Sequence, residues 1–136
     1  MNIVVSANNN EEILIFPVIP RDTPLKNPQE NEEFKTVNNG TLNLIGELGL
    51  RSINISSIFP KEKKSWAKAG SVEGIQYVTF FNKWRGKQVP IRLIITLQDG
   101  TEWVNMAVTV DNFDYSFGKQ EDITYSLDMK EYPFVL

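Results

Sequence analysis

The sequence predicts a mainly β protein with one packed helix, an α+β chain arranged as an antiparallel β-sandwich or a partly open barrel. Three patterns carry that expectation. In DITYSLDMKEY, Ile123, Tyr125, Leu127 and Met129 alternate strictly with Asp122, Thr124, Ser126, Asp128 and Lys130. Such alternation marks a half-buried antiparallel strand with one wet face. Two turn signals, Asn38-Asn39-Gly40 and Asp99-Gly100, each lie between apolar runs, as tight hairpins require. From about Val72 to Arg85 the spacing is helical, with Tyr77, Phe80, Phe81 and Trp84 at i, i+3, i+4 and i+7. An aromatic face that broad needs a flat apolar partner, and a sheet supplies one.

The elements follow in order. Ile13 to Ile19 reads as a strand carrying Pro17, which has no N–H for a central ladder, so it belongs at an edge or kinks there. Residues 20–33, with Pro20, Pro24 and Pro28 and several acidic groups, read as an extended surface segment. Phe34 to Val37 and Thr41 to Ile45 form a hairpin around the Asn-Asn-Gly turn. Gly46 and Gly49 bracket a second turn before the strand Leu50 to Ile58, which Pro60 ends. The apolar residues of that strand, Leu50, Ile53, Ile55 and Ile58, alternate imperfectly, which predicts a bulge or burial on both sides. Residues 61–70 form a basic loop around Trp66. The helix follows, with Ser71 as cap, Glu73 in the first turn, Lys83 and Arg85 in the last, and Gly86 after it. Val89 to Leu97, Thr101 to Val110 and the alternating C-terminal strand bring the expected number to about seven strands.

A length of 136 residues suits one domain, 1–136, and 41% hydrophobic residues suffice for one sizeable core. A net charge of -3 argues against a dedicated nucleic-acid binder. The sequence has no cysteine and no histidine, which removes thiol chemistry, histidine-based triads and nearly all zinc sites. No enzyme activity and no cofactor are expected. The start, MNIVVSANNNEE, lacks the basic and apolar regions of a signal peptide. The longest apolar run, ILIFPVIP, is well short of the ~20 residues that cross a membrane, so a soluble chain is expected.

The residues that could carry function are charged or aromatic. Asp111, Asp114, Glu121, Asp122, Asp128 and Glu131 crowd the C-terminal region, but strand alternation already accounts for Asp122 and Asp128. A glycosidase would need two facing carboxylates, and the spacing lacks a calcium-loop pattern. No metal is expected. Trp84 belongs to the helix core face, whereas Trp103 has the opposite parity to Val104, Met106 and Val108 and points away from their core. Trp66 is the best exposed anchor. Trp66 and Trp103 together would suit a carbohydrate-binding β-sandwich, the alternative reading. Residues 61–92 carry a net charge of +6 and residues 111–131 a net of -4. Opposite charge segregated on a small protein suits a head-to-tail contact between copies. The expected subunit-interface residues are Lys61, Lys63, Lys64, Trp66 and Lys68 on the basic side and Asp111, Asp114, Glu121 and Asp122 on the acidic side.

LIFPVIPRD, NLIGELGLRSINISSIFP, FFNKWRGKQVPIRLIIT and VTVDNFDYSFGKQEDITYSLDMKEYPFVL follow one another in this chain. In order and spacing they resemble the baseplate proteins of phages and prophages of Gram-positive bacteria, in which this part often precedes a LysM peptidoglycan-binding module. The likeness spans roughly residues 12–132. It implies a structural tail protein with a tail-tube-like β fold, placed at the junction of tail tube and hub or spike, in contractile tails and related tailocins. It also implies a six-fold ring as the assembled form. The expected partners are further copies of the chain, the tail tube protein and baseplate hub or spike proteins, with DNA only passing through the lumen and no membrane. The expected location is the virion tail or baseplate, after synthesis in the bacterial host cytoplasm. The LysM module has no counterpart here, so the resemblance does not carry peptidoglycan binding over to this chain.

Overall fold

The computed structural model describes residues 1–134. Among the described residues, nine strands and one helix run in the order β1 (Asn2–Ala7), β2 (Glu12–Ile15), β3 (Leu25–Lys26), β4 (Glu32–Lys35), β5 (Thr41–Leu44), β6 (Ser52–Phe59), α1 (Gly74–Gly86), β7 (Ile91–Thr96), β8 (Glu102–Phe117) and β9 (Ile123–Glu131). Seven strands form one antiparallel sheet in the order β2-β1-β7-β8-β9-β6-β3, and β4 and β5 pair only with each other. The chain is therefore mainly β with one helix, as its patterning predicts, and the large sheet stays open instead of closing into a barrel. β2 forms an edge, which is where a strand running into Pro17 can sit.

The core lies between one face of the sheet and the helix. Alternate residues of β1 (Ile3, Val5, Ala7), β7 (Ile91, Leu93, Ile95), β6 (Ile53, Ile55, Phe59) and β9 (Ile123, Tyr125, Leu127, Met129) are buried there. Tyr77, Phe80, Phe81 and Trp84 descend on them from α1. Phe59 is stacked between two tyrosines, with ring centroids 4.4 Å from Tyr77 and 3.8 Å from Tyr125. Phe16 meets Phe59, Tyr77, Phe81 and Tyr125 edge-on. The Tyr77 hydroxyl donates to the Ile15 carbonyl and accepts from the Val72 N–H, tying helix to edge strand. Tyr125 has no such tie: its Oη is the one buried side-chain polar atom without a hydrogen-bond partner among the described residues. Burial raises its pKa strongly. An unpartnered buried hydroxyl costs about 1–3 kcal/mol. Tyr125→Phe keeps the ring stack and removes that cost, so urea denaturation should show a gain of about 1 kcal/mol or more. An unchanged or lower midpoint would mean that the hydroxyl finds a partner in solution.

Four local expectations are corrected. Ser71 does not cap the helix: Glu73 is the N-cap residue, without a side-chain cap bond, and the first turn holds no acid. Gly74 opens the helix because an added Cβ would lie 2.6 Å from the Pro60 carbonyl oxygen, so only glycine lets the helix start this close to the end of β6. Gly86 is the last helical residue rather than the stop. Lys87 follows in helical conformation and Gln88, at φ 58°, makes the left-handed exit, while Lys83 and Arg85 occupy the last turn as expected. β6 has no bulge. It pairs residue for residue with β9 from Ser52 to Phe59, so Phe59 continues the core face and Ile58 turns to the other.

Register shifts lie in β8 instead, one at Trp103, where Ile95 pairs with Val104 and Thr96 with Glu102, and one further along the strand. Asn112 to Phe117 continue that strand, and the register shifts between Val110 and Asn112, leaving Asp111 as the extra residue. One inserted residue reverses the parity. Val104, Met106 and Val108 face the core before it, and Phe113 does so after it, 5.2 Å from Phe81. Two further strands, β1 and β3, raise the total from the expected seven to nine.

The C-terminal end of β9 is closed by an ion pair across the sheet. Arg51 donates from Nη2 to Glu131 Oε2 at 3.0 Å, and its backbone N–H donates to Glu131 Oε1 at 3.1 Å. The Arg51 side chain and backbone bonds hold the Glu131 carboxyl below its ordinary value of 4.5. A carboxylate with a depressed folded pKa stabilises fully above its unfolded value and loses that contribution as pH falls through the folded one. Glu131→Gln should therefore cost up to about 1 kcal/mol at neutral pH. The difference from wild type should vanish as pH drops from about 4.5 to below the depressed value, which paired urea titrations would read.

Candidate assembly surfaces

Each face of the molecule offers a different surface. On the side of the sheet away from α1, Asn54 Nδ2 donates to Ser126 Oγ at 3.0 Å and to Asp128 Oδ1 at 2.7 Å, and Ser56 Oγ to Asn54 Oδ1 at 2.9 Å. Asp111 accepts from Thr109 Oγ1, and Asp114 from Asn112 Nδ2, and both carboxylates are exposed. Asp114 faces this way because of the bulge: with the parity reversed, Phe113 goes to the core and its neighbour to water.

The basic loop and the acidic turn meet within one chain. Lys61 Nζ lies 2.9 Å from Glu121 Oε2, and the Lys61 backbone N–H donates to Asp122 Oδ1 at 2.8 Å. The adjacent Glu121 carboxylate raises the Lys61 pKa. Glu121 sits in a left-handed turn, φ 64°, that turns β8 back into β9. Beyond this anchor the loop is held by a bond from the Lys68 N–H to the Pro17 carbonyl, 2.9 Å. Lys63, Lys64 and Trp66 stand exposed on it, and Lys68 is half-buried. Lys61, Glu121 and Asp122 thus sit together, while Asp111 and Asp114 lie on β8. Trp103 is partly exposed at the start of β8.

Two surfaces go unnoticed at the level of sequence. The first is the hairpin β4–β5, an arm with no exchange of strands with the main sheet. Its register pairs Glu32 with Leu44 and Phe34 with Leu42, so Glu32, Phe34, Leu42 and Leu44 share one face, and Glu33, Lys35, Thr41 and Asn43 the other. All eight strand residues are exposed. Val37 at the tip is wholly exposed, and Ile45 and Leu48 are exposed towards the base. The hairpin is present as expected, and the face that carries Phe34, Leu42 and Leu44 has no cover. The arm is stiff at its root, where Glu30 N–H donates to the Glu47 carbonyl at 2.8 Å, Gly46 N–H to Asn31 Oδ1 at 2.9 Å, and Gln29 Nε2 to the Gly46 carbonyl at 3.0 Å.

The second is a groove of about 660 Å³ where the end of α1 passes over β7 and β8, lined by Phe81, Trp84, Arg85, Val89, Val110 and Tyr132. Trp84 is fixed there by its Nε1–H, which donates to Glu12 Oε2 at 3.0 Å, and Lys83 pairs with the same carboxylate. Burial pushes the Glu12 carboxyl up, but the bonds from Lys83 and Trp84 outweigh it and hold it below its ordinary range. Lys87 Nζ lies 4.6 Å from the Trp84 ring centroid, so the rim is cationic. Among the described residues no cluster of acidic side chains is arranged to hold a metal, and no helix is long and apolar enough to cross a membrane.

No protein-family model matches the chain, and no curated protein matches it. Solved structures do share its fold. A chain of the virion of a native gene transfer agent particle superposes with a TM-score of 0.62 at 12% identity, covering 97% of this chain and 92% of that one. A chain of the tail of an empty gene transfer agent particle, refined helically in C6 symmetry, gives 0.60 at 14% identity over 98% and 92%. A chain of the six-fold symmetrised baseplate of the anti-feeding prophage gives 0.55 at 9% identity over 97% and 88%. At such identities the likeness is one of fold, and it extends over almost the whole chain.

Proposed function

We propose that this protein is a non-enzymatic structural component of a phage-type tail or baseplate, which self-assembles into a six-fold ring joining the tail tube to the hub or spike. The observation that supports the reading is that the fold recurs over 97–98% of the chain in chains of a virion, a tail and a baseplate, the last two solved with six-fold symmetry. Its partners are further copies of itself, the tail tube protein and the hub or spike, and its place is the virion tail after synthesis in the host cytoplasm. DNA only passes through the lumen.

In the ring, Lys63, Lys64, Trp66 and Lys68 of the loop face a neighbouring copy's Asp111 and Asp114, and the Lys61–Glu121–Asp122 cluster holds the loop in place for that contact. Complementary charge sets the register, and buried apolar surface supplies the affinity. Light scattering of the purified chain, alone and with the tube protein, tests this. The mass should step from 15.6 kDa towards six times that value once the tube protein is present. A monomer in both samples would sink the reading.

A further inference from the structure

We infer that the β4–β5 arm of one copy docks, apolar face down, into the groove between α1 and β7–β8 of the next copy. The inference rests on the self-association proposed above and adds a second pair of surfaces to the contact of the basic loop with Asp111 and Asp114. Three observations support it. The arm carries an uncovered face with Phe34, Leu42 and Leu44, and Val37 and Ile45 are exposed just beyond its paired strands; apolar surface of this kind on an ordered hairpin marks an interaction site. Charge is complementary: the arm and its root carry Glu30, Glu32, Glu33 and Glu47 against Lys35 alone. The groove presents Arg85 inside, and Lys87 and Arg92 line the adjoining cavity.

Topology supplies the third. The arm leaves the chain beside β3 and β6 at one edge of the seven-stranded sheet, whereas the groove lies over the central strand β8 and its neighbour β7. Donor and acceptor surfaces at different places on the chain give a head-to-tail contact, which closes into a ring when the rotation between copies allows it. From the Gln29–Leu48 bridge to the Asn38 tip the arm reaches at most about 30 Å, taking ~3.3 Å per residue.

The chain contains no cysteine, so introduced pairs report cleanly. Leu42→Cys and Val89→Cys, on arm and groove, are both exposed positions whose change leaves the core intact. The double variant is oxidised alone and with the tube protein, and run on a non-reducing gel beside each single variant and wild type sized by light scattering. A ladder of disulfide-linked multimers beyond the dimer, confined to the double variant, is the expected result. Phe34→Ser with Leu44→Ser should weaken assembly roughly tenfold or more while leaving the circular dichroism unchanged. A missing ladder while wild type forms multimers overturns the arm–groove pairing and leaves ring assembly standing. A crosslink from the arm to the tube protein instead overturns it too. Wild type that stays monomeric with and without the tube protein overturns both.

Discussion

Phe59→Ala is expected to lower stability by about 3–5 kcal/mol, the usual cost of emptying a buried phenylalanine site. Phe59 is fully buried and stacked on both faces, by Tyr77 from the helix and by Tyr125 from β9, with Phe16 edge-on from the segment after β2. It is therefore the point at which sheet, edge and helix meet. Its removal leaves a cavity walled by three rigid aromatic rings, none of which can turn to fill it without losing its own contacts. For a chain of this size the loss amounts to a fall in Tm on the order of 10–20 °C. Phe59→Leu, which refills part of the volume, should recover a good share of it. A scanning calorimetry shift of only a few degrees for the alanine variant would show that the stack contributes far less than its burial implies.

The second large effect concerns shape rather than stability. An added Cβ at Gly46 would lie 1.6 Å from the Glu30 carbonyl oxygen and 2.6 Å from its carbon. Both atoms are backbone, so no rotamer relieves the clash. Gly46→Ala must therefore part the two limbs of the arm at its root and break the bonds made by Gln29, Glu30 and Asn31. No arm residue from Glu32 to Leu44 is buried, so melting of the main sheet should change by less than about 1 kcal/mol. Ring formation with the tube protein, by contrast, should weaken about tenfold or more, because a misdirected arm cannot reach its groove. Limited trypsin digestion at Lys35 should also quicken. Normal assembly by the alanine variant would mean that the arm's direction is immaterial.

The parts of the fold that were legible in sequence are those governed by local rules. Strict alternation placed β9 and its four core residues, Asp99-Gly100 and Gly40 placed two hairpins, and i, i+3, i+4, i+7 spacing placed the aromatic face of α1. What escaped depended on partners distant in sequence. β1 shows its own alternation in Ile3, Val5 and Ala7, yet its position inside the sheet comes from pairing with β7, nearly ninety residues on. The bulge at Asp111 has no composition signal; it shows only in the switch of buried parity from Val108 to Phe113. Ser71 looked like a cap by type, but the approach of Gly74 to Pro60 starts the helix later.

The same division holds for the surfaces. Charge segregation marked Lys61 and the acidic turn, and the fold pairs Lys61 with Glu121 and Asp122 inside one chain, which no count of charges could reveal. The arm read as ordinary strands because periodicity reports that a face is apolar and is silent on whether the protein's own core covers it. Two of these residues, Phe34 and Leu42, are indistinguishable by sequence from core positions and are exposed. The fold shared with chains of a virion, a tail and a baseplate is a likeness of fold at 9–14% identity.

Electron microscopy of this chain mixed with the tail tube protein proposed as its partner tests the central claim most directly. Class averages should show six-fold rings of this chain seated on tube ends, with a rim on which each copy's arm overlaps its neighbour. Bare tube ends beside free monomers would contradict it.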